Sequence, residues 1–407
     1  MKKMLLVLGL IMVSTLIFAQ NKNYVVVFKD SFEAPIRKNQ IRNPNRGQQA
    51  NSNASSRNQK IAKLDQFLRQ RNIPQGQAKK FVDGAVGFVA SLNSNEVSNL
   101  RNDPNVQVVV EDFRMQSRPR MQGSRPRMQG ENFGDWLYDP AIKASCAIPL
   151  MGGSSTGLSR SSIWIIDSGV EATHSDLNVS TNPNFSASFI SGESPLEDFA
   201  GHGTHCAGLA AGMGQGNPGV TGMSPGAEII PIKVLDGNGF GNWSNLVLAL
   251  DHVEKFGVAG DVVMMSLGAS EIMDCENSEP FLRDIIMDLG DKGVFVVMSA
   301  GNEANLANSN LPGCINGPNV VTVASVDFSC GEIGGFSAFS NFGIPPIDWV
   351  APGNALVSTF PRNSYNVMSG TSMAGALVAG LIHSKGGLPN RGVSVDFGGV
   401  TYFVAGR

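Results

Sequence analysis

Along the first third of the chain, short apolar runs alternate with stretches of helical spacing. Tyr24–Phe28, Ala85–Leu92 and Val106–Val110 read as strands, with a helix around Ile61–Leu68 and a short one near Val97–Leu100. This order predicts a small β-α-β type domain over residues 23–112. Its polar insert, Arg37 to Lys60, is rich in Asn, Gln, Arg and Ser and reads as a loop. After residue 160 the pattern changes. Ser162–Ile166, Ile229–Leu235, Val262–Ser266, Val294–Met298 and Val320–Ala324 are apolar strand runs, separated by helix-like stretches at His205–Ala211, Asn245–Lys255 and Phe281–Leu289. Continuous apolar strands bounded by helices predict an α/β fold, a parallel sheet with helices on both faces.

The ends and joints of this pattern divide the chain. Residues 1–20 open with Met1-Lys2-Lys3, continue apolar through Met4–Phe18 and finish in Ala19-Gln20, the layout of a signal peptide, which predicts a secreted protein, extracellular or periplasmic. The apolar run falls short of the ~20 residues that span a bilayer, and no later stretch is longer, so no membrane span is expected. Between the two patterned regions lies a tandem repeat, Ser117-Arg-Pro-Arg-Met-Gln-Gly123 followed by Ser124-Arg-Pro-Arg-Met-Gln-Gly130, which predicts an exposed linker. The expected division is a signal peptide over 1–20, a small domain over 21–115, a linker over 116–135 and the main domain over 136–407.

Composition sharpens this. The 407 residues are 42% hydrophobic, enough for a large core and incompatible with a disordered chain. Residues 21–130 carry 19 Lys and Arg against 8 Asp and Glu, a balance of +11, whereas residues 131–407 carry 10 against 26, a balance of −16. A basic segment beside an acidic body in one chain predicts attraction between them rather than nucleic-acid binding. Of the five cysteines, Cys206 lies inside an apolar helix and is expected to be a free thiol; Cys146, Cys275, Cys314 and Cys330 can pair in an exported protein, in any of three ways.

In open parallel sheets the working residues gather beyond the carboxyl ends of the strands. Asp167 follows Ile163–Ile166 there, Ser266-Leu267-Gly268 follows Val262–Met265, and Asn302 follows Val294–Ala300. Gly201-His202-Gly-Thr-His205-Cys206-Ala-Gly208 and Gly370-Thr-Ser372-Met-Ala374 each open a small-residue helix. Singly, Ser372 is only a helix cap, Asp167 a turn residue and His202 a core histidine. In the order Asp, His, Ser they read as a triad, because a serine hydroxyl becomes a nucleophile when an imidazole takes its proton and a carboxylate fixes that imidazole. The order excludes an α/β-hydrolase, which needs histidine last.

Ile165-Ile-Asp167-Ser-Gly169, His202-Gly-Thr-His-Cys-Ala-Gly208 and Gly370-Thr-Ser372-Met-Ala374 resemble the three active-site signatures of the subtilases, and Cys206 points to their proteinase K-like branch. The resemblance spans residues 155–382. It implies a subtilisin-like serine endopeptidase acting on proteins or peptides, with Asp167, His202 and Ser372 catalytic and Asn302 in the oxyanion hole. It implies substrate pairing along Lys233-Val-Leu-Asp-Gly237-Asn-Gly239 and along Ser266-Leu267-Gly268, with Ala300 and Gly301 beside them. Upstream, Tyr24–Lys29, Ala85–Leu92 and Leu100 through Asp112 are similar to the subtilase propeptide inhibitor. Residues 21–115 are therefore expected to be a ferredoxin-like α+β prodomain, an intramolecular inhibitor of a self-processing zymogen. No cofactor is implied for the chemistry. Pro318, Val320 and Asp348 match the calcium ligands of proteinase K-like enzymes, two carbonyls and a carboxylate that suit Ca²⁺ as a structural ion.

Two departures stand out. Where the family continues with Thr-Pro-His and a cis proline, this chain has Gly375-Ala376-Leu377, which predicts either a trans turn or strain beside Ser372. Only 35 residues follow Ser372, fewer than the family uses to complete its last helices, with Val400–Val404 as a candidate closing strand. Two rival readings stand beside this one: zinc held by His202, His205 and Cys206 on one helix face, and a non-catalytic peptide-binding protein on a subtilase scaffold.

Overall fold

The computed structural model describes residues 21–32, 46–117, 120–121, 137–157, 161–269, 275 and 280–407. The signal-peptide expectation and most of the repeat lie outside these residues.

The chain begins with strand β1 (Lys22–Phe28), helices α1 (Arg46–Ser52) and α2 (Ala54–Gln70), strands β2 (Lys79–Phe81) and β3 (Gly87–Leu92), helix α3 (Ser94–Arg101) and strand β4 (Val106–Glu111). The four strands form an antiparallel sheet in the order β2-β3-β1-β4. Alternation along β1 decides what each face covers. Val26 and Phe28 pack with Leu64, Phe67 and Leu68 of α2 and with Val97 and Leu100 of α3. Val25 and Val27 point the other way, into a core shared with Trp243, Leu250, Phe281 and Ile285 further along the chain. Asn93 caps α3 by accepting from the N–H groups of Asn95 and Glu96, while Glu96 accepts from Asn93 N–H.

The polar insert is not the loop expected over Arg37 to Lys60: from Arg46 onward it is helical. Composition missed this because partners distant in sequence hold the helix. Arg57 makes a 2.6 Å ion pair with Asp83, and Lys60 donates to the Val82 carbonyl at 3.1 Å. Residues 37–45 lie outside the described residues.

Next come β5 (Arg114–Gln116), β6 (Arg120–Met121), a two-stranded pair β7 (Tyr138–Asp139) and β8 (Ala144–Ser145), and α4 (Ala147–Leu150). The main body follows with β9 (Ser162–Asp167), β10 (Ala187–Ser188), α5 (His202–Ala211), β11 (Glu228–Lys233), β12 (Phe240–Asn242), α6 (Trp243–Phe256), β13 (Val262–Met265), β14 (Gly268–Ala269), α7 (Pro280–Asp291) and β15 (Phe295–Ser299). It finishes with β16 (Val320–Ser329), β17 (Glu332–Phe336), β18 (Ile347–Pro352), β19 (Leu356–Phe360), β20 (Ser364–Ser369), α8 (Thr371–Lys385), β21 (Asn390–Phe397) and β22 (Val400–Gly406).

A ten-stranded sheet organises this body, in the order β10-β11-β9-β13-β15-β16-β18-β22-β21 with β17 attached to β16. Neighbours from β10 to β22 run parallel, and β21 and β17 are antiparallel additions. Val400–Val404 does supply a closing strand, β22, which pairs Val404 with Val350. Helix α8 runs unbroken through Gly375-Ala376-Leu377, so the departure from the family sequence leaves a regular helix behind Ser372.

The N-terminal unit sits on α6 and α7. Asp251 of α6 accepts the N–H groups of Val82 at 3.0 Å, of Gly84 at 2.9 Å, and of Asp83 between them. Asp112 accepts Ser244 N–H at 2.9 Å and its hydroxyl at 2.8 Å at the start of α6, and Phe113 stacks on Trp243 with centroids 4.7 Å apart. A carboxylate at a helix N-terminus meets unpaired N–H groups and the positive end of the dipole.

Cys146 pairs with Cys330 and Cys275 with Cys314, which selects one of the three open pairings. Cys206 is free and buried, and burial pushes its thiol well above the usual value. A thiol reagent at pH 8 is therefore expected to label no cysteine in the native protein and Cys206 alone after denaturation without reductant. Peptide mapping of the labelled chain checks both statements.

Candidate active site

Asp167 closes β9 and His202 opens α5, and the two meet under the sheet's carboxyl edge. His202 Nδ1 lies 2.8 Å from each carboxylate oxygen of Asp167, and both residues are buried. Burial disfavours the charged imidazole, but the charge and hydrogen bond of Asp167, with a contribution from Asp198, outweigh it and raise His202 above its usual value. On the other side of the ring, Nε2 is buried and meets no partner among the described residues.

Ser372 is the second residue of α8 and is buried. Its carbonyl accepts the Ser266 hydroxyl at 3.4 Å and lies 4.0 Å from the Cys206 sulfur, one turn along α5 from His202. The ligand atoms of Asp167, His202 and Cys206 all fall within 4.8 Å of one another, and the Ser372 carbonyl reaches this group through Cys206. Helices α5 and α8 approach closely enough that a Cβ on Gly380 would come within 2.4 Å of the Ala210 carbonyl. Small residues on both helices are what the sequence supplies at this crossing.

Asn302, just past β15, is oriented from behind. Its Oδ1 accepts Thr371 N–H at 2.8 Å and the Thr371 hydroxyl at 3.1 Å. Thr371 in turn accepts Gly301 N–H at 3.1 Å, so the residue before Ser372 ties the two loops together. Gln116, Ser266, Gly268, Gly301, Asn302 and Ser372 line one cavity. Ala300 sits buried beneath it, its carbonyl accepting from Asn341 at 2.9 Å.

The cleft holds part of the chain itself. Strand β5 lies between β12 and β14 as the middle of a three-stranded antiparallel sheet, with Gln116 opposite both Phe240 and Gly268 and Met115 opposite Gly241 and Ala269. Ser117 N–H continues the ladder to the Gly239 carbonyl at 3.1 Å. Met115 is buried in the main core, and the Arg114 guanidinium lies 3.8 Å from the Phe240 ring centroid. Beyond the cleft, Arg120 and Met121 pair with Ser369 and Met368 of β20. The start of the expected linker is thus strand-paired rather than exposed. Strand β12 begins at Phe240, and Gly237 precedes it in a turn against Phe199.

The zinc grouping is not assembled. His205 turns away from His202 and Cys206, its Nε2 at 3.2 Å from the Leu356 carbonyl and 3.1 Å from the Asn366 carbonyl, and burial followed by the charge of His202 pushes it down to about 3. Asp348 accepts Asn316 Nδ2 and Thr322 N–H on its Oδ2, both at 2.8 Å, beside Val320 of β16.

The subtilase family matches residues 159–383, more than half of the chain. The chain is a subtilase. A second family, peptidase inhibitor I9, matches residues 23–118, so this subtilase carries a propeptide inhibitor ahead of its peptidase domain. It is 35% identical to thermitase of Thermoactinomyces vulgaris, over 56% of this chain and 76% of that protein. It is 35% identical to subtilisin DY of Bacillus licheniformis, over 55% of this chain and 76% of that protein. To subtilisin E of Bacillus subtilis it is 31% identical, over 75% of this chain and 72% of that protein. Subtilases are serine endopeptidases, and this chain is one.

Sequence reasoning passed over Asp198. This buried carboxylate accepts Ser168 Oγ, Gly201 N–H and Thr204 N–H, each at 2.8 Å, and Thr204 Oγ1 at 2.7 Å, which fixes the turn into α5 against the strand end that carries Asp167. Its four-residue spacing before His202 was the available signal. Asp198→Ala leaves these donors unpaired, and a loss of about 1–3 kcal/mol in unfolding free energy is expected from denaturant titration.

Proposed function

We propose that this subtilase is a secreted, self-processing endopeptidase that works through an acyl-enzyme on Ser372. The observation that carries the reading is the buried Asp167–His202 pair beside Ser372, at a cleft where β5 lies as a substrate would. His202 Nε2 takes the Ser372 hydroxyl proton as Oγ attacks the substrate carbonyl, then passes that proton to the leaving nitrogen. Water then attacks the acyl-enzyme by the same route and frees Ser372. Asp167 holds Nδ1–H and stabilises the imidazolium. Asn302 Nδ2 and the Ser372 N–H donate to the oxyanion; a donor of this kind is worth about 100–1000-fold in kcat, a magnitude known from subtilisin itself. Gly239, Ser266, Leu267, Gly268, Ala300 and Gly301 frame the strand-like substrate, whose main chain supplies affinity and whose side chains supply preference.

In the uncut chain the occupant is the prodomain's own tail. Gln116 faces Gly268 and Arg120 faces Ser369, and only Ser117, Arg118 and Pro119 join them. Self-cleavage falls between Arg114 and Glu131, with Met115 to Arg118 as the tail left in the cleft. Ser372→Ala is expected to abolish peptide hydrolysis and leave the chain uncut, read by gel mobility and N-terminal sequencing. A first residue before 100 or after 140 in the active form contradicts this division.

Because general base catalysis needs neutral His202 and its neighbours raise its proton affinity, activity is expected to rise with pH through a midpoint above 6.5. A kcat/KM profile from pH 5 to 9 reads the midpoint, and a flat profile removes His202 from this role.

We also propose a structural Ca²⁺ held by Pro318, Val320 and Asp348. The donors are hard oxygens, and burial raises the Asp348 carboxyl despite hydrogen bonds from Asn316 and Thr322, a penalty that a bound cation relieves. Oδ2 is engaged by those two N–H groups, which leaves Oδ1 for the ion. Ca²⁺ is expected to raise the thermal midpoint, and Asp348→Ala to remove most of the rise.

A further inference from the structure

Arg46, the first residue of α1, is a buried arginine whose partners among the described residues belong to the peptidase body. Its guanidinium grips Asp261 with both ends, Nη1 to Oδ2 and Nη2 to Oδ1, the latter at 2.8 Å, and Nη2 also donates to Ser162 Oγ at 2.5 Å. It lies 5.3 Å from the Trp164 ring centroid and 5.9 Å from that of Phe185. Asp261 is fully buried and accepts three further donors, Ser162 N–H and Val258 N–H at 3.0 Å and Trp164 Nε1–H at 2.9 Å. Ser162 Oγ passes its own proton to Glu228 at 2.6 Å, so two carboxylates border the position that one cation fills.

These residues lie at the opposite edge of the sheet from the cleft. Ser162 begins β9 and Asp167 ends it, about 17 Å away at roughly 3.3 Å per residue. Planar bidentate pairing plus stacking on an indole selects a guanidinium over an ammonium. A buried carboxylate that loses its counter-cation is strongly disfavoured. The body is therefore built around a charge that the prodomain supplies.

We propose that Asp261, Ser162 and Trp164 form a guanidinium-binding socket, distinct from the cleft, which Arg46 fills in the uncut chain and which binds an alkylguanidinium ligand once Arg46 is gone. In the zymogen the socket is a second anchor that holds residues 21–117 to the body after a bond near Ser372 is cut. That regulatory consequence rests on the self-processing reading, but the socket does not, so the test uses chains that cannot cut themselves.

Full-length Ser372→Ala protein is compared with the Arg46→Ala, Ser372→Ala double variant, using agmatine as the probe and n-butylamine as the ammonium control. Calorimetry is expected to find one saturable agmatine site on the double variant and none on the parent. The double variant should melt lower than the parent, agmatine should restore part of the difference, and n-butylamine should bind at least tenfold more weakly. Adding Asp261→Asn should abolish the site. Absence of saturable agmatine binding to a folded double variant overturns the socket, as does equal binding to the parent or equal binding of the two amines. If Arg46→Ala prevents folding, Arg46→Gln keeps the length and removes the charge, and the same outcomes decide. Failure of wild-type chain to cut itself bears on the self-processing reading alone.

Discussion

The geometry of the candidate site depends on how closely two helices can cross. Helices α5 and α8 carry His202 and Ser372 on their first turns, so the crossing sets how near these two residues lie. The crossing is made of glycine and alanine, with Gly380 against Ala210 at a separation that excludes a Cβ. Both helices are buried almost end to end, so neither can shift without opening the core. Asp198 and Thr371 then fix the loops that enter them, each through hydrogen bonds that reach a neighbouring active-site loop.

The prodomain reaches this core through the simplest property of a strand. Alternate residues of β1 serve two different interiors, Val26 and Phe28 the prodomain's own and Val25 and Val27 the one shared with α6 and α7. The prodomain sheet thus completes a surface of the body that would otherwise expose apolar residues, and Asp251, Asp112 and Arg46 add polar contacts around it. The opposed charge balances of the two segments act in the same direction, over a longer range.

Much of this was legible in the sequence because it is written in local order. The five buried strands from Ser162 to Ala324 and the helices between them are continuous apolar runs, and the Asp, His, Ser order stands in three short motifs. What was not legible depends on distant partners. Residues 46–60 are polar enough to read as a loop, yet Asp83, Val82 and Asp261 hold them as helix. Strands β18 to β21 carry no continuous apolar run: β20 mixes polar with apolar residues and β21 is exposed. The cysteine pairing joins residues 184 and 39 positions apart, which spacing cannot choose.

Strand pairing holds the chain on both flanks of Ser372, at Arg114–Gln116 on one side and at Arg120–Met121 on the other. A break between these flanks removes no hydrogen bond from either ladder and leaves Met115 in its pocket. On the proposed self-processing, scission and departure would then be separate clocks: the new ends would stay side by side, and the time to a working enzyme would be set by how slowly the grip on the severed piece is lost.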